Sequence, residues 1–166
     1  MWAKLVRDGE EDLVAVEEPL EIRVDGAPLA VTMRTPGHDE ELALGFLFTE
    51  GLIDRPRHAG LTGDLAANTI EVEGPMTRDP ANRRFYTSSS CGVCGKGALE
   101  EVAVHADPAT PGPEIERALL AGLPDRLRQP AFERTGGLHA TGLFAPDGEL
   151  LCVREDVGRH NAVDKV

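Results

Sequence analysis

A run of small residues and glycines around two cysteines constrains this chain more than any other feature. Residues 86–98 place Cys91 and Cys94 among serines and glycines, and Lys96 follows closely. Side chains this small bury little apolar area, and the glycines leave the backbone permissive, so the run cannot contribute to a core. We therefore expect an exposed loop that presents a dithiol beside a cation, an arrangement suited to thiolate nucleophiles.

The Cys-x-x-Cys spacing by itself is compatible with three kinds of site. Structural zinc needs four ligands, whereas Cys152 is alone in an apolar run and the five histidines are scattered. A thioredoxin-type redox pair normally follows a strand and opens a helix, but glycines follow this pair. The third kind is a nucleophilic or sulfur-carrying cysteine with a second thiol in reach. Its polar, glycine-rich neighbours favour this third kind over inert, buried cysteines.

Length and charge restrict the class of protein. The 166 residues suit one domain, residues 1–166, and 41% hydrophobic with 4% aromatic residues indicates an aliphatic core. The formal net charge of -12 argues against nonspecific binding of nucleic acid and of anionic membrane surfaces. Neither a membrane-spanning run nor a signal peptide is recognisable, and the cysteine usage fits a reducing compartment, so we expect a cytoplasmic protein.

Alternating apolar residues predict strands and hairpins. The turn Asp25-Gly26 joins two alternating runs, a β-hairpin signature. The alternating residues are Leu20, Ile22 and Val24 before the turn and Leu29, Val31 and Met33 after it. Further strands are predicted at residues 13–16, 68–73 and 83–86, and a second hairpin is predicted around residues 146–148.

The segment from residue 37 onwards changes to a helical period. Acidic residues in its first turn complement the helix dipole, and Gly51 is the predicted stop. Its buried side is predicted to comprise Leu42, Leu44, Phe46, Leu47, Phe48 and Ile53. The segment is most simply scaffold, and His38 is the one residue in it that we retain as a possible ligand contact.

Helices are also predicted in the second half of the chain. Residues 114–120 and 125–134 have helical composition, with Pro130 as a kink or boundary. The last segment opens with an acidic residue in a predicted N-cap position. One face of that helix would carry Asp156, His160 and Asp164. The elements together predict a mixed α/β fold.

Two polar segments are candidates for binding an anion. The loop at residues 135–139 and the segment at residues 155–165 combine glycines with cationic side chains, whose N–H groups suit an anionic ligand. The candidate residues are Gly136, Gly137, His139, Arg159, His160 and Asn161. The simpler alternatives are a turn before a strand for the first segment and an exposed helix face for the second.

Five blocks together resemble the formate dehydrogenase accessory sulfurtransferase family, known as FdhD. The likeness runs from about residue 19 to the last residue. The blocks are P-L-E-I-R-V-D-G, T-P-G-H-D-E-E-L-A-L-G-F-L-F-T-E-G-L-I, S-S-C-G-V-C-G-K, T-G-G-L-H-A and R-E-D-V-G-R-H-N-A-V-D-K. The resemblance implies a fold similar to cytidine deaminases, with a mixed sheet and flanking helices, here preceded by an N-terminal β-hairpin region.

The resemblance also implies a function. Members of the family accept sulfur from a cysteine desulfurase as a persulfide and pass it to the molybdenum cofactor, which formate dehydrogenase requires in sulfurated form. Carried over by position, Cys91 matches the persulfide cysteine and Cys94 the second thiol. The resemblance further implies that the bound substrate is the molybdopterin guanine dinucleotide form of the cofactor and that the working unit is a homodimer, and we expect the protein itself to hold no metal.

One departure from the family pattern and two competing functions stand beside this interpretation. The family pattern continues beyond residue 166, so we expect the chain to be an N-terminal portion that is not stable alone. A zinc-dependent nucleoside deaminase would need H-x-E or C-x-E and then P-C-x-x-C, whereas Ser90 precedes Cys91 here. A non-catalytic chaperone that only protects a cofactor is the other alternative.

Overall fold

The computed structural model describes residues 1–62, 68–77, 85–87 and 108–166, and of residues 85–87 it describes the backbone alone. Nine strands and four helices lie in these ranges. None of the helices in the same ranges has the length and apolar composition needed to cross a membrane.

The chain begins with an exposed β-hairpin. Strands β1 (Trp2–Arg7) and β2 (Glu10–Ala15) pair antiparallel across a two-residue turn, Asp8-Gly9. Both turn residues have positive φ, 53° and 86°, which suits the right-handed twist of a hairpin. The strand predicted at residues 13–16 is confirmed as the end of β2. The sequence of β1 lacks alternation, which is why it was not predicted.

A five-stranded mixed sheet forms the centre of the described structure. Its strands are β3 (Glu18–Val24), β4 (Ala27–Arg34), β5 (Ala59–Leu61), β6 (Thr69–Val72) and β7 (Phe85–Thr87). They lie in the order β5-β6-β3-β4-β7. The β3–β4 and β5–β6 pairs are antiparallel, while β3–β6 and β4–β7 are parallel. The prediction of a mixed α/β fold is confirmed, as are the strands predicted near β6 and β7.

The predicted turn of the β3–β4 hairpin is confirmed, but the alternate residues predicted to be buried in β4 are not the ones that are buried beyond residue 29. Asp25 and Gly26 both have positive φ and connect the strands directly. The register shifts after Ile22, so Leu29 is an extra, bulged residue. Beyond the bulge the buried positions are Ala30, Thr32 and Arg34, while Val31 and Met33 are half-buried. Period-2 alternation cannot reveal such an insertion from one strand alone.

Helix α1 (Asp39–Thr49) packs on the sheet and forms most of the core with it. Its buried residues are Leu42, Ala43, Phe46 and Leu47. Phe48 is 61% exposed, so its predicted burial is wrong, because it lies on the far side of a stripe set by the helical period. The predicted stop at Gly51 is confirmed: its φ is 67°, and Leu52 N donates to Leu47 O at 2.8 Å.

The second half of the chain is built from short elements. They are α2 (Arg117–Arg126), α3 (Phe132–Thr135), β8 (His139–Phe144), β9 (Leu150–Asp156) and α4 (Arg159–Asp164). The predicted helix at 114–120 instead begins at Arg117, because Glu116 is extended. Of the helix predicted at 125–134, only a four-residue helix beyond Pro130 forms. Proline lacks an N–H group and its ring clashes with the preceding turn, so a helix cannot run through this position.

Gly45 allows α1 and α4 to approach closely, and this contact gives a testable expectation. A Cβ atom at this position would overlap the backbone carbonyl of Asp164. We expect Gly45→Ala to destabilise the protein by about 3 kcal/mol, although alanine is otherwise the better helix former. Chemical denaturation measures the change. Gly122→Ala in α2 is the matched control, because nothing lies within 4 Å of its added Cβ. Equal stability of both variants would contradict the close contact.

Candidate functional site

The dithiol predicted as catalytic, Cys91 and Cys94, lies outside the described residues. The described backbone nearest to it in the sequence is β7, whose residue Thr87 pairs with Thr32 of β4. Thr32 Oγ1 donates a hydrogen bond to Asn161 Oδ1 of α4 at 3.4 Å. The strand that precedes the dithiol therefore lies beside a strand that contacts the last polar segment.

The β8–β9 hairpin brings the two predicted anion-binding segments together. His139 at the start of β8 pairs with Asp156 at the end of β9. The turn around residues 146–148 closes the hairpin, with Ala145 N donating to Glu149 O at 2.8 Å, as predicted. Residues 135–139 and 156–160 consequently lie at the same end of one hairpin.

Glu155 fixes the first of these segments. Its buried carboxylate accepts hydrogen bonds from Ala131 N at 3.0 Å and from Phe132 N at 2.8 Å. These N–H groups begin α3, which has no side-chain cap of its own. A carboxylate is favourable at a helix N-terminus because the N–H groups there have no partner within the helix.

The end of α3 leads directly into the glycine loop. Gly136 has a φ of 66° and donates to Phe132 O at 2.7 Å. Thr135 Oγ1 donates to Ala131 O at 2.8 Å and accepts from Gly137 N at 3.3 Å. Gly136, Gly137 and the following His139 are exposed.

Asp156 fixes the second segment through a fully buried carboxylate. Lys165 Nζ lies 2.7 Å from Asp156 Oδ2, and the side chains of both are at most 1% exposed. Asp156 also accepts hydrogen bonds from Thr35 N at 3.0 Å, Gly158 N at 2.7 Å and Asn161 Nδ2 at 3.1 Å. The start and the end of α4 are thus held by one side chain.

The predicted N-cap role of Asp156 is wrong. Gly158 is the N-cap of α4, and Asp156 is the last residue of β9. Pairing with His139 extends the strand through Asp156. Of the three residues predicted to share a helical face, only His160 and Asp164 therefore lie in the helix.

The six candidate binding residues divide into an exposed set and one buried residue. The exposed residues are Gly136, Gly137, His139, Arg159 and His160. Asn161 is 5% exposed, and its amide donates to Met33 O at 2.8 Å as well as to Asp156. Asn161 therefore contributes to the framework of the site in this structure, while the other five are accessible to a ligand.

Thr35 belongs to the site but was not among the sequence candidates. It is fully buried, its backbone contacts Asp156 and Lys165, and its Oγ1 accepts from Val157 N at 3.1 Å. The signal that was available is its position before Pro36, which restricts the backbone to an extended conformation.

Asp164 is the described carboxyl group with the largest shift in pKa. Burial raises its pKa to about 6, and the charge of Glu50 adds to the increase. A hydrogen bond from Thr49 Oγ1, at 3.0 Å, acts in the opposite direction. The group lies where α4 meets α1, one helical turn beyond His160.

His38 and Cys152 were also singled out from the sequence. His38 has a φ of 58° and contacts Glu41 at 2.9 Å, and Arg154 holds the same carboxylate through two nitrogens. That arginine lowers the pKa of Glu41. Cys152 is half-buried within β9, and its thiol is free. Among the described residues no group of three or more His, Cys, Asp or Glu is arranged to hold a metal ion.

Comparisons with known proteins agree on one family. The sequence profile of the FdhD/NarQ family matches residues 15–166. A sulfur carrier protein FdhD from Streptomyces coelicolor is 50% identical, over 97% of this chain and 65% of its own length. The sulfur carrier protein FdhD from Sulfolobus acidocaldarius is 45% identical, over 97% of this chain and 64% of its own.

A solved structure shares the fold. The crystal structure of a proposed formate dehydrogenase accessory protein from Desulfotalea psychrophila superposes with a TM-score of 0.66 at 24% identity, over 99% of this chain and 65% of that one. The chain therefore spans about 65% of the length of the relatives that it matches.

The buried Asp156–Lys165 pair gives a prediction about stability. Lys165→Met leaves the Asp156 carboxylate buried without its cation, and we expect a loss of about 3 kcal/mol in the free energy of unfolding. Lys4→Met is the matched control, because the Lys4–Glu11 pair is largely exposed and should contribute little. Urea denaturation of both variants measures the difference. Similar small effects would show that the buried pair is not what holds α4.

Proposed function

The chain belongs to the FdhD/NarQ family, and we propose that it acts as a sulfur carrier for the maturation of formate dehydrogenase. Relatives support the proposal, since proteins 45–50% identical to this chain carry the name sulfur carrier protein FdhD. The reaction is a sulfur transfer: the protein takes the outer sulfur atom of a donor persulfide, holds it as a persulfide of its own, and then delivers that atom.

Loading occurs at Cys91. The Cys91 thiolate attacks the outer sulfur of a persulfide on a cysteine desulfurase, a new S–S bond forms at Cys91, and the cysteine of the desulfurase leaves as a thiolate. No net oxidation occurs in this step. Small and glycine-rich neighbours around Cys91 support the proposal, because they do not hinder the approach of a second protein.

Delivery uses the second thiol. Cys94 attacks the inner sulfur of the Cys91 persulfide, hydrosulfide leaves, and a Cys91–Cys94 disulfide remains until a cellular thiol reduces it. The hydrosulfide sulfur is the atom supplied to the molybdenum cofactor. The cofactor, as molybdopterin guanine dinucleotide, is a bound substrate in this proposal and not a resident group.

The observation that carries the cofactor side of the proposal is the pairing of His139 with Asp156. It gathers the exposed side-chain N–H donors of His139, Arg159 and His160 at one end of a hairpin, beside the Gly136-Gly137 loop. A pyrophosphate needs such donors, above all in a protein with a formal net charge of -12.

The position of β7 supports placing the two chemistries near each other. Cys91 follows Thr87 by four residues, and four residues of chain span at most about 14 Å. Thr87 pairs with Thr32, which contacts Asn161, the residue next to His160. We infer that sulfur on Cys91 reaches the ligand held by the two polar segments.

Partners and setting follow from the same proposal. The sulfur donor is a cysteine desulfurase, the client enzyme is formate dehydrogenase, and the working unit is a homodimer in the cytoplasm. Transfer of labelled sulfur from the loaded protein to the cofactor distinguishes a sulfurtransferase from a chaperone that only shields the cofactor.

We expect Cys91 to be the residue that carries sulfur. After incubation with a cysteine desulfurase and cysteine, mass spectrometry should locate the added sulfur on Cys91. Cys91→Ala should abolish loading, and Cys94→Ala should load but release sulfide slowly, because the resolving thiol is absent. Cys152→Ala is the control, since that thiol lies within β9. An adduct on Cys152 with Cys91 unmodified would overturn the assignment.

We expect Arg159 to bind the phosphate groups of the cofactor. GDP serves as the probe in an isothermal titration. Arg159→Ala should weaken binding about tenfold, and Arg159→Lys should weaken it too, because a lysine cannot form the bidentate contact. Arg117→Ala is the matched control, since Arg117 is also an exposed arginine in the first turn of a helix. Unchanged affinity in Arg159→Ala would remove this residue from the site.

A further inference from the structure

Glu155 is a buried carboxylate that touches none of the exposed candidate residues. It is 7% exposed, and both of its oxygens accept hydrogen bonds from the backbone at the start of α3. The contact joins positions 23 and 24 residues apart in the chain. The carboxylate therefore replaces the side-chain cap that α3 lacks.

Helix α3 depends on contacts from outside itself. It has four residues, none of which is buried, and an isolated turn of helix is unstable because nucleation is costly. Phe132, its one large apolar residue, is 42% exposed. The two hydrogen bonds to Glu155 are charge-assisted, which makes them the strong polar contacts of this helix.

The same two residues whose N–H groups Glu155 holds also hold the glycine loop through their carbonyl groups. Ala131 donates its N–H to Glu155 and accepts with its carbonyl from Thr135 Oγ1, which in turn accepts from Gly137 N. Phe132 donates its N–H to Glu155 and accepts with its carbonyl from Gly136 N. Two short chains of hydrogen bonds thus connect one carboxylate to two loop glycines.

We propose that Glu155 is a positioning residue that fixes the Gly136–Gly137 loop and thereby orients His139 towards an anionic ligand, a diphosphate in the proposed function on which this inference rests. The N–H groups of Gly136 and Gly137 are used within the loop, so the exposed His139 side chain is the group that the loop offers to the ligand. Such a side chain binds an oxyanion well only when the backbone that carries it is fixed before the ligand arrives. Glu155 acts through its hydrogen bonds to the start of α3 and itself makes no contact with the ligand.

The test combines affinity for GDP with amide hydrogen exchange of residues 136–139. In Glu155→Gln one oxygen is replaced by an NH₂ group that cannot accept, so one of the two backbone N–H groups loses its partner. We expect the Kd for GDP to rise about tenfold, which corresponds to the loss of one such contact. Exchange at residues 136–139 should become faster in the same variant.

A second variant keeps the test independent of folding. Thr135→Val removes the hydroxyl that links Ala131 O to Gly137 N but leaves both Glu155 contacts in place. We expect a rise in Kd of about threefold, smaller than for Glu155→Gln, because only one of the two chains is interrupted. Each titration is made at a temperature where the melting curve shows the variant fully folded.

Glu41→Gln is the matched control. It alters a carboxylate that also accepts two hydrogen bonds, here from Arg154, but that does not contact α3. A residue with only a structural role would behave like this control, with lowered stability and unchanged affinity for GDP.

The outcomes separate the inference from the proposed function. If the wild-type protein binds GDP and Glu155→Gln binds it equally well, the positioning role is overturned and the proposed function stands. If affinity falls while exchange at residues 136–139 is unchanged, the role is also overturned, because the effect does not pass through the loop. If the wild-type protein does not bind GDP, the cofactor side of the proposed function and this inference fail together.

Discussion

A buried ion pair between Asp156 and Lys165 is the contact on which the second half of the structure depends. Removing two charges from water is costly, and the cost is offset only when the remaining hydrogen-bonding capacity is used. In this structure that capacity is used, because the carboxylate accepts three further hydrogen bonds and the ammonium also donates to Thr35 O. Because Thr35 follows β4, the pair ties α4 to the central sheet as well as to β9.

Two neighbouring residues of β9 organise the candidate site from opposite sides. Successive side chains of a strand point to opposite faces, so Glu155 and Asp156 cannot serve the same element. Glu155 reaches α3 and the glycine loop behind it, while Asp156 reaches α4. The exposed candidate residues are therefore held in place by buried carboxylates, so their arrangement at the surface depends on charges that lie in the interior.

Local patterns predicted the elements that are determined locally. The turn Asp25-Gly26 and the stop at Gly51 follow from the backbone preferences of glycine and its neighbours, and both were found. The bulge at Leu29 could not be predicted, because it depends on how β4 pairs with β3, and the capping of α3 could not be predicted, because it comes from Glu155 in another element. Asn161 illustrates the limit for the site: a polar residue in a functional segment looks the same in sequence whether it faces a ligand or, as here, the interior.

The alternation of Glu155 and Asp156 limits where this hairpin tolerates a change in length. One residue inserted between Leu151 and Glu155 would exchange the faces of the two carboxylates and send each towards the partners of the other. An insertion in the turn before Leu150 would leave each carboxylate on its present face of β9. Insertions and deletions are therefore compatible with the site in the turn at residues 145–149 and incompatible with it a few residues later, although both places belong to one short hairpin.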